Sequence, residues 1–218
     1  MLFRSPPRVA HAARLEITMV ADTAGSSRHR SIRLRILRQD GPGQPERWEE
    51  FAVEVERGAN VVACLQSIAS SSTTADGAPT TPVAYETGCL EEVCGACTML
   101  INGTVRQSCS CLVDQYAPND GDTITLEPMS KFPVIRDLIV NRDRLFHNLA
   151  RVKAWVPIDG TYDLGEGPKE EPRHQEVRYK LSECMSCGCC LEACPQFNLE
   201  ENEEAWDSSF IGPHAISQ

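Results

Sequence analysis

No stretch of the 218 residues approaches the roughly 20 consecutive apolar residues that a membrane span needs, so any attachment to a bilayer comes through another protein. No run of Lys and Arg interleaves with aromatic residues, and 31 acidic side chains against 21 basic ones leave a net charge of -10. Nucleic acid is therefore excluded as a partner. The opening stretch, MLFRSPPRVAHAARLE, has no apolar core of the kind a secretory signal carries, which removes the usual context for a disulfide scaffold. That stretch is rich in Arg and poor in acids, as mitochondrial transit peptides are, and a start at Met19 is the other reading. Histidine is scarce: the 5 present all lie outside the cysteine loop described next.

What is abundant is cysteine, at 11 residues. Gly88 to Thr98 reads GCLEEVCGACT, and with Cys109 it gives Cys89, Cys94, Cys97 and Cys109 in the spacing C-x4-C-x2-C-x11-C. Structural zinc sites pair two short hooks. Here one loop offers three thiols and the fourth follows a hairpin, the plant-type [2Fe-2S] pattern. A Rieske centre needs two histidines and finds none. Such a loop needs residues that are small or tolerate positive φ, a role that Gly88 and Gly95 fit. It also needs backbone N–H groups aimed at sulfur. Cys111 lies two residues after Cys109 and on an extended chain would point to the same face, so spacing alone leaves both open as the fourth ligand.

A second set is Cys184, Cys187, Cys190 and Cys194 followed by Pro195, C-x2-C-x2-C-x3-C-P. This is the bacterial ferredoxin run, whose fourth thiol ligates a neighbouring cluster. Cys189 is off the pattern and is expected to face away, and Cys64 is read as a core residue.

Around these loops, SIRLRILRQ and WEEFAVEVE alternate at period two and predict a hairpin across GPGQPE. NVVACLQSIASS places Val61, Val62, Leu65 and Ile68 on one helical face behind Asn60 as N-cap. Asn102-Gly103 marks a second hairpin, and TITLEP a further strand. These elements make a small α+β sandwich of sheet and helix. DRLFHNLARVKAW then repeats Leu145, Phe146, Leu149, Val152 and Trp155 at helical spacing. A Gly- and Pro-rich connection, VPIDGTYDLGEGPKEEP, leads to a helix, the second ligand loop and another helix. The acidic NLEENEEAWDSS is read as solvated surface. The domain reading is a flexible extension over 1–30, a plant-type [2Fe-2S] domain over 31–132 and a helical domain over 133–218, with the boundary near Phe132-Pro133.

A plant-type loop followed by a bacterial-type run resembles the iron–sulfur subunit of succinate dehydrogenase and fumarate reductase. CGACTMLINGTVRQSC, LEPMSKFPVIRDLIV, KAWVPIDGTYDLG and CMSCGCCLEACP carry the likeness, which covers Ile32 to Gln218. The resemblance implies a β-grasp domain followed by an all-helical, bacterial-ferredoxin-like one. It favours Cys109, because in the family the fourth ligand lies eleven residues after the third. It implies that electrons from a FAD-containing flavoprotein pass to [2Fe-2S] on Cys89, Cys94, Cys97 and Cys109. They continue to [4Fe-4S] on Cys184, Cys187 and Cys190, and to [3Fe-4S] with Cys194 as one ligand, near quinone.

Pro195 resembles the proline lining the quinone site, but Gln196, Phe197 and Asn198 stand where many ubiquinone-type members carry a tryptophan. Cys89-Leu90-Glu91-Glu92-Val93-Cys94, in place of the common C-R-E-G, looks like the subgroup with a haem-bearing membrane anchor and menaquinone. The place implied is peripheral, on the cytoplasmic face of a bacterial inner membrane or on the matrix side in mitochondria. In the family three more cysteines follow, whereas none follows Cys194 here. A fragment, a truncated gene or a split subunit would each account for that, and this chain by itself is then expected not to sustain the whole relay. Two other functions share parts of the pattern. An iron–sulfur carrier for another flavoprotein, of the thiol-linked fumarate reductase or glycolate oxidase type, would have the same fold with different partners. A molybdenum hydroxylase module also carries CGACT, but the run from Cys184 to Cys194 argues against it.

Overall fold

A computed structural model describes residues 29–154, 171–200 and 202–218. The extension over 1–28, Trp155 and nearly all of the Gly- and Pro-rich connection lie outside the described residues. The first strand, β1 (His29–Arg38), takes in the last two residues of the expected extension and pairs antiparallel with β2 (Arg47–Glu56). Its alternation buries Ile32, Leu34 and Ile36, opposite Phe51, Val53 and Val55 on β2. Helix α1 (Val61–Ser71) lays Val61, Cys64, Leu65 and Ile68 against the same face, so Cys64 is a core residue as expected. Burying each such side chain stabilises the fold by about 1.5–3 kcal/mol relative to leaving it in water.

The sheet is completed by β3 (Thr98–Ile101), β4 (Thr104–Gln107) and β5 (Thr123–Glu127), with the short helix α2 (Val113–Tyr116) between the last two. Asn102 and Gly103 both take positive φ, 48° and 74°, as a two-residue hairpin of this hand requires. Strand order is β2-β1-β5-β3-β4, with β1 and β5 parallel, the β-grasp arrangement. A two-stranded ribbon, β6 (Val134–Arg136) with β7 (Ile139–Val140), follows and has no counterpart in the sequence reading.

That ribbon turns at Asp137, which is wholly buried and faces the wholly buried Arg38 at the end of β1. Arg38 Nε donates to Asp137 Oδ1 at 2.8 Å, and Nη1 donates to Glu49 Oε2 at 2.7 Å. Asp137 also accepts the backbone N–H groups of Gln39 at 3.1 Å and Ala84 at 2.8 Å. The segment that leads into the first cysteine loop is therefore anchored to the sheet by a buried charge pair.

The second half is helical: α3 (Asp143–Arg151), α4 (Pro172–Ser182), α5 (Cys189–Ala193), α6 (Glu203–Ser208) and α7 (Gly212–Ile216). Among the described residues no helix is long and apolar enough to cross a membrane. The stripe expected on α3 buries Leu145 but leaves Phe146 63% exposed, because the buried face is completed by Arg144 and Asn148. Arg144 lies over the Phe197 ring at 3.9 Å and donates to Asn198 O and Ser209 Oγ, while Asn148 donates to Ile211 O. The acidic NLEENEEAWDSS is not all solvated surface. Asn202 caps α6, whose Trp206 is buried and donates from Nε1 to Glu200 O at 3.0 Å.

Replacing Asp137 with Ala should destabilise the protein by about 3–5 kcal/mol, because Arg38 Nε and two backbone N–H groups lose their acceptor and Glu49 alone is left to balance the buried guanidinium. The urea unfolding midpoint checks this. Asp40→Ala, which breaks an exposed pair with Arg47, should move that midpoint little.

Candidate metal centres

The first cysteine loop is built around the Cys89 sulfur. The backbone N–H groups of Glu91, Val93 and Cys94 each point at it from 3.3 Å, and the N–H of Cys89 points at Cys94 Sγ from 3.4 Å. These donors pull the Cys89 thiol down to about 7 from its ordinary value of 9. The wrap requires positive φ at Leu90 (61°), Glu92 (56°) and Gly95 (69°). For the first two, left-handed backbone costs roughly 1–2 kcal/mol each. Of the two roles expected of the loop glycines, Gly88 fills the one that needs a small residue. Its φ is ordinary, but a Cβ there would stand 3.1 Å from Cys94 Sγ.

Cys97 and Cys109 are buried together against Val62. Burial pushes the Cys109 thiol up, the adjacent Cys97 thiol adds to the rise, and the N–H of Glu92 opposes it. Cys89 acts on Cys109 at longer range. The four thiols thus share one neighbourhood, supplied with amide donors, which suits a group bound by thiolates and carrying negative charge. Among the described residues no three His, Cys, Asp or Glu side chains are grouped so that they could hold a metal ion.

Cys111 goes elsewhere. Expecting Cys109 and Cys111 on one face assumed an extended chain, but Ser110 N–H closes a turn onto Gln107 O at 3.3 Å. Cys111 is delivered into the sheet–helix core, where burial raises its thiol and the Tyr116 hydroxyl meets it. Asn60 fixes the other branch. Its Oδ1 accepts from Ala63 N–H, capping α1, and its Nδ2 donates to Cys109 O, both at 2.9 Å.

In the second set Cys184 and Cys190 are exposed, while Cys187 and Cys194 are half-buried. Pro195 is exposed, directly after Cys194. Cys189 does not face away. Its sulfur accepts from Gln107 Nε2 of β4 at 3.2 Å, and its thiol meets Cys187, lowering the Cys187 thiol to about 6. Gly188 enters α5 at φ 86°, and a Cβ there would stand 3.4 Å from both Met129 and Phe132.

The two loops touch. A Cβ on Gly95 would lie 2.6 Å from Cys187 Cβ and 2.7 Å from its Cα. Around this contact, Arg142 donates to Gly95 O at 2.8 Å and to Ala96 O at 2.6 Å. On α5, Glu192 accepts from Ser130 N–H at 3.0 Å, Ser130 Oγ at 2.6 Å and Lys131 N–H at 3.1 Å, and Lys131 Nζ donates to Cys194 O. Gln107, Arg142 and Glu192 were not singled out from sequence. Each is a lone polar residue with no periodic or spacing signal.

A family model described as "2Fe-2S iron-sulfur cluster binding domain" matches residues 33–147. The succinate dehydrogenase iron-sulfur subunit of Bacillus subtilis (strain 168) is 46% identical over 192 residues, covering 88% of this chain and 72% of that protein. The fumarate reductase iron-sulfur subunit of Escherichia coli O6:H1 is 29% identical over 136 residues, covering 62% of this chain and 51% of that one. Among solved structures, a chain of the Mycobacterium smegmatis Sdh1 complex in the apo form superposes with a TM-score of 0.66. It is 23% identical, and the match covers 85% of this chain and 71% of that chain, which shows a shared fold.

Gly95→Ala should separate the loops, since the new methyl meets main-chain atoms of Cys187 and the residue already has positive φ. Iron and sulfide analysis should show loss of metal, with the far-UV circular dichroism of the sheet retained. Full metal content would contradict the contact.

Proposed function

The chain belongs to the family of iron–sulfur subunits of succinate dehydrogenase and fumarate reductase, and from that membership we propose that it carries single electrons between a FAD-containing flavoprotein subunit and quinone at a membrane anchor. The observation that carries the proposal is the direct contact of the two cysteine loops at Gly95 and Cys187, because a relay needs its carriers close together. When bound, iron–sulfur clusters supply one-electron carriers whose potentials follow cluster type, net charge and hydrogen bonds to sulfur. Cys89, Cys94, Cys97 and Cys109 would hold [2Fe-2S]. Cys184, Cys187 and Cys190 would contribute to [4Fe-4S], and Cys194 to [3Fe-4S], with Pro195 toward quinone.

The chain's own part is to hold thiolates and screen them. Amide groups from Glu91, Val93 and Cys94 stabilise the Cys89 thiolate, and the Cys97–Cys109 side is buried against Val62. No substrate site is assigned to this subunit. Dicarboxylate chemistry belongs to the flavoprotein. The anchor is proposed to bear haem, the quinone to be menaquinone, and the subunit to lie peripherally on the cytoplasmic face of a bacterial inner membrane.

Two measurements test this. Cys109→Ser should destroy or shift the reducible two-iron signal, because oxygen is a poorer ligand to such a cluster than thiolate, while Cys111→Ser leaves it nearly unchanged. The reverse result would assign Cys111 as the ligand. Mild-detergent purification from the native host should recover this chain with a flavoprotein and a haem-bearing membrane peptide, in a fraction that oxidises succinate. Recovery with a different flavoprotein and no succinate oxidation would assign it to another electron-transfer complex.

A further inference from the structure

Arg142 stands between the end of the β6–β7 ribbon and the start of α3, at the seam of the two cysteine loops. Its side chain is only 16% exposed. Both terminal nitrogens are committed to main-chain carbonyls of the first loop, Gly95 O at 2.8 Å and Ala96 O at 2.6 Å. Its Nε is buried without a hydrogen-bond partner, and the nearby carboxylate, Glu86, is 3.6 Å away and 45% exposed. A planar fork spanning two successive carbonyls is a task for Arg rather than Lys. A trans peptide points its C=O and N–H in opposite directions, so fixing these carbonyls turns the N–H groups of Ala96 and Cys97 away from the guanidinium.

The same residue reaches the second loop. Gly95, whose carbonyl Arg142 holds, is the residue in main-chain contact with Cys187. A fixed cation in a partly desolvated seam favours whichever redox state of a neighbouring cluster is more negative, which is the reduced one.

We propose that Arg142 positions the Cys94–Cys97 turn against Cys187 and raises the reduction potential of the clusters on either side of the seam. This rests on the cysteine assignment proposed above. The test is potentiometric titration, followed by electron paramagnetic resonance, of the native complex carrying Arg142→Met or Arg142→Lys, with iron and sulfide analysis of each. Arg142→Met should lower the midpoints. A tenfold change in the reduction equilibrium, the order expected for one nearby charge, is a shift of about 59 mV for one electron. Arg142→Lys keeps the charge and should retain most of the potential, but it loses the fork and should release iron faster on dilution. Where Arg142→Met does not assemble, Arg142→Gln gives the same reading of charge loss. Full metal content with unchanged midpoints in a neutral variant overturns the inference, and so does a shift as large in the Lys variant as in the neutral one. A wild-type complex without a reducible two-iron signal overturns the cysteine assignment, and this inference with it.

Discussion

Thiolates crowded around one point repel one another, and partial burial sharpens the repulsion. Every local oddity of the first loop answers that constraint. Cys109 shows the less relieved side, its thiol pushed up by burial and by Cys97 against the N–H of Glu92. Cys89 shows the relieved side, with three amide donors at 3.3 Å. Amides can converge on one sulfur only if the chain curls tightly, which is why Leu90 and Glu92 adopt positive φ although neither is glycine. That strain is sustained by what brackets the loop, namely the Arg38–Asp137 anchor behind it and strand β3 ahead of it.

The two halves meet through an apolar cluster and a set of polar clamps, and the two do different work. Met129, Phe132, Leu145, Leu191 and Phe197 supply non-directional burial, which draws the halves together without fixing how they lie. Direction comes from Glu192 on Ser130 and Lys131, Gln107 on Cys189, and Arg142 on Gly95 and Ala96. Such groups are costly when half-satisfied and specific when satisfied. The Gln107 clamp ends on a cysteine and the Arg142 clamp on the turn between Cys94 and Cys97, while Glu192 projects from the helix that carries Cys189 and Cys190. The register between the loops is therefore set by hydrogen bonds, while their association is set by area.

The sheet is legible nearly whole, because period-two alternation in β1 and β2 and the Asn102-Gly103 turn are local signals that burial then rewards. The helical half was less legible for an identifiable reason. On α3 Leu145 shares the inward face with Arg144 and Asn148, which hold carbonyls of the C-terminal segment, so the apolar periodicity is offset from the buried face. The buried Trp206 leaves no sequence signal, because one aromatic among acids carries no period. Cysteine spacing brought out both sets of thiols, yet not the residues that place them, since a polar group acting alone across a long sequence separation leaves no pattern.

The choice between Cys109 and Cys111 illustrates how sheet and site are joined. Spacing leaves the two residues open, and the resemblance to relatives can only favour one. In the folded chain the segment after β4 is stitched to the start of α1: Val61 N–H donates to Cys111 O at 3.1 Å and Val113 N–H to Ala59 O at 2.9 Å. Asn60 completes the stitching, capping the helix with one end of its amide and holding Cys109 O with the other. The carbonyls of Cys109 and Cys111 are therefore fixed by adjacent residues of one helix terminus, and with the turn at Ser110 between them their thiols part, one to the loop and one to the core. The cap that starts α1 and the contact that presents Cys109 are made by a single side chain, so the geometry of the site follows from the packing of the sheet rather than being added to it.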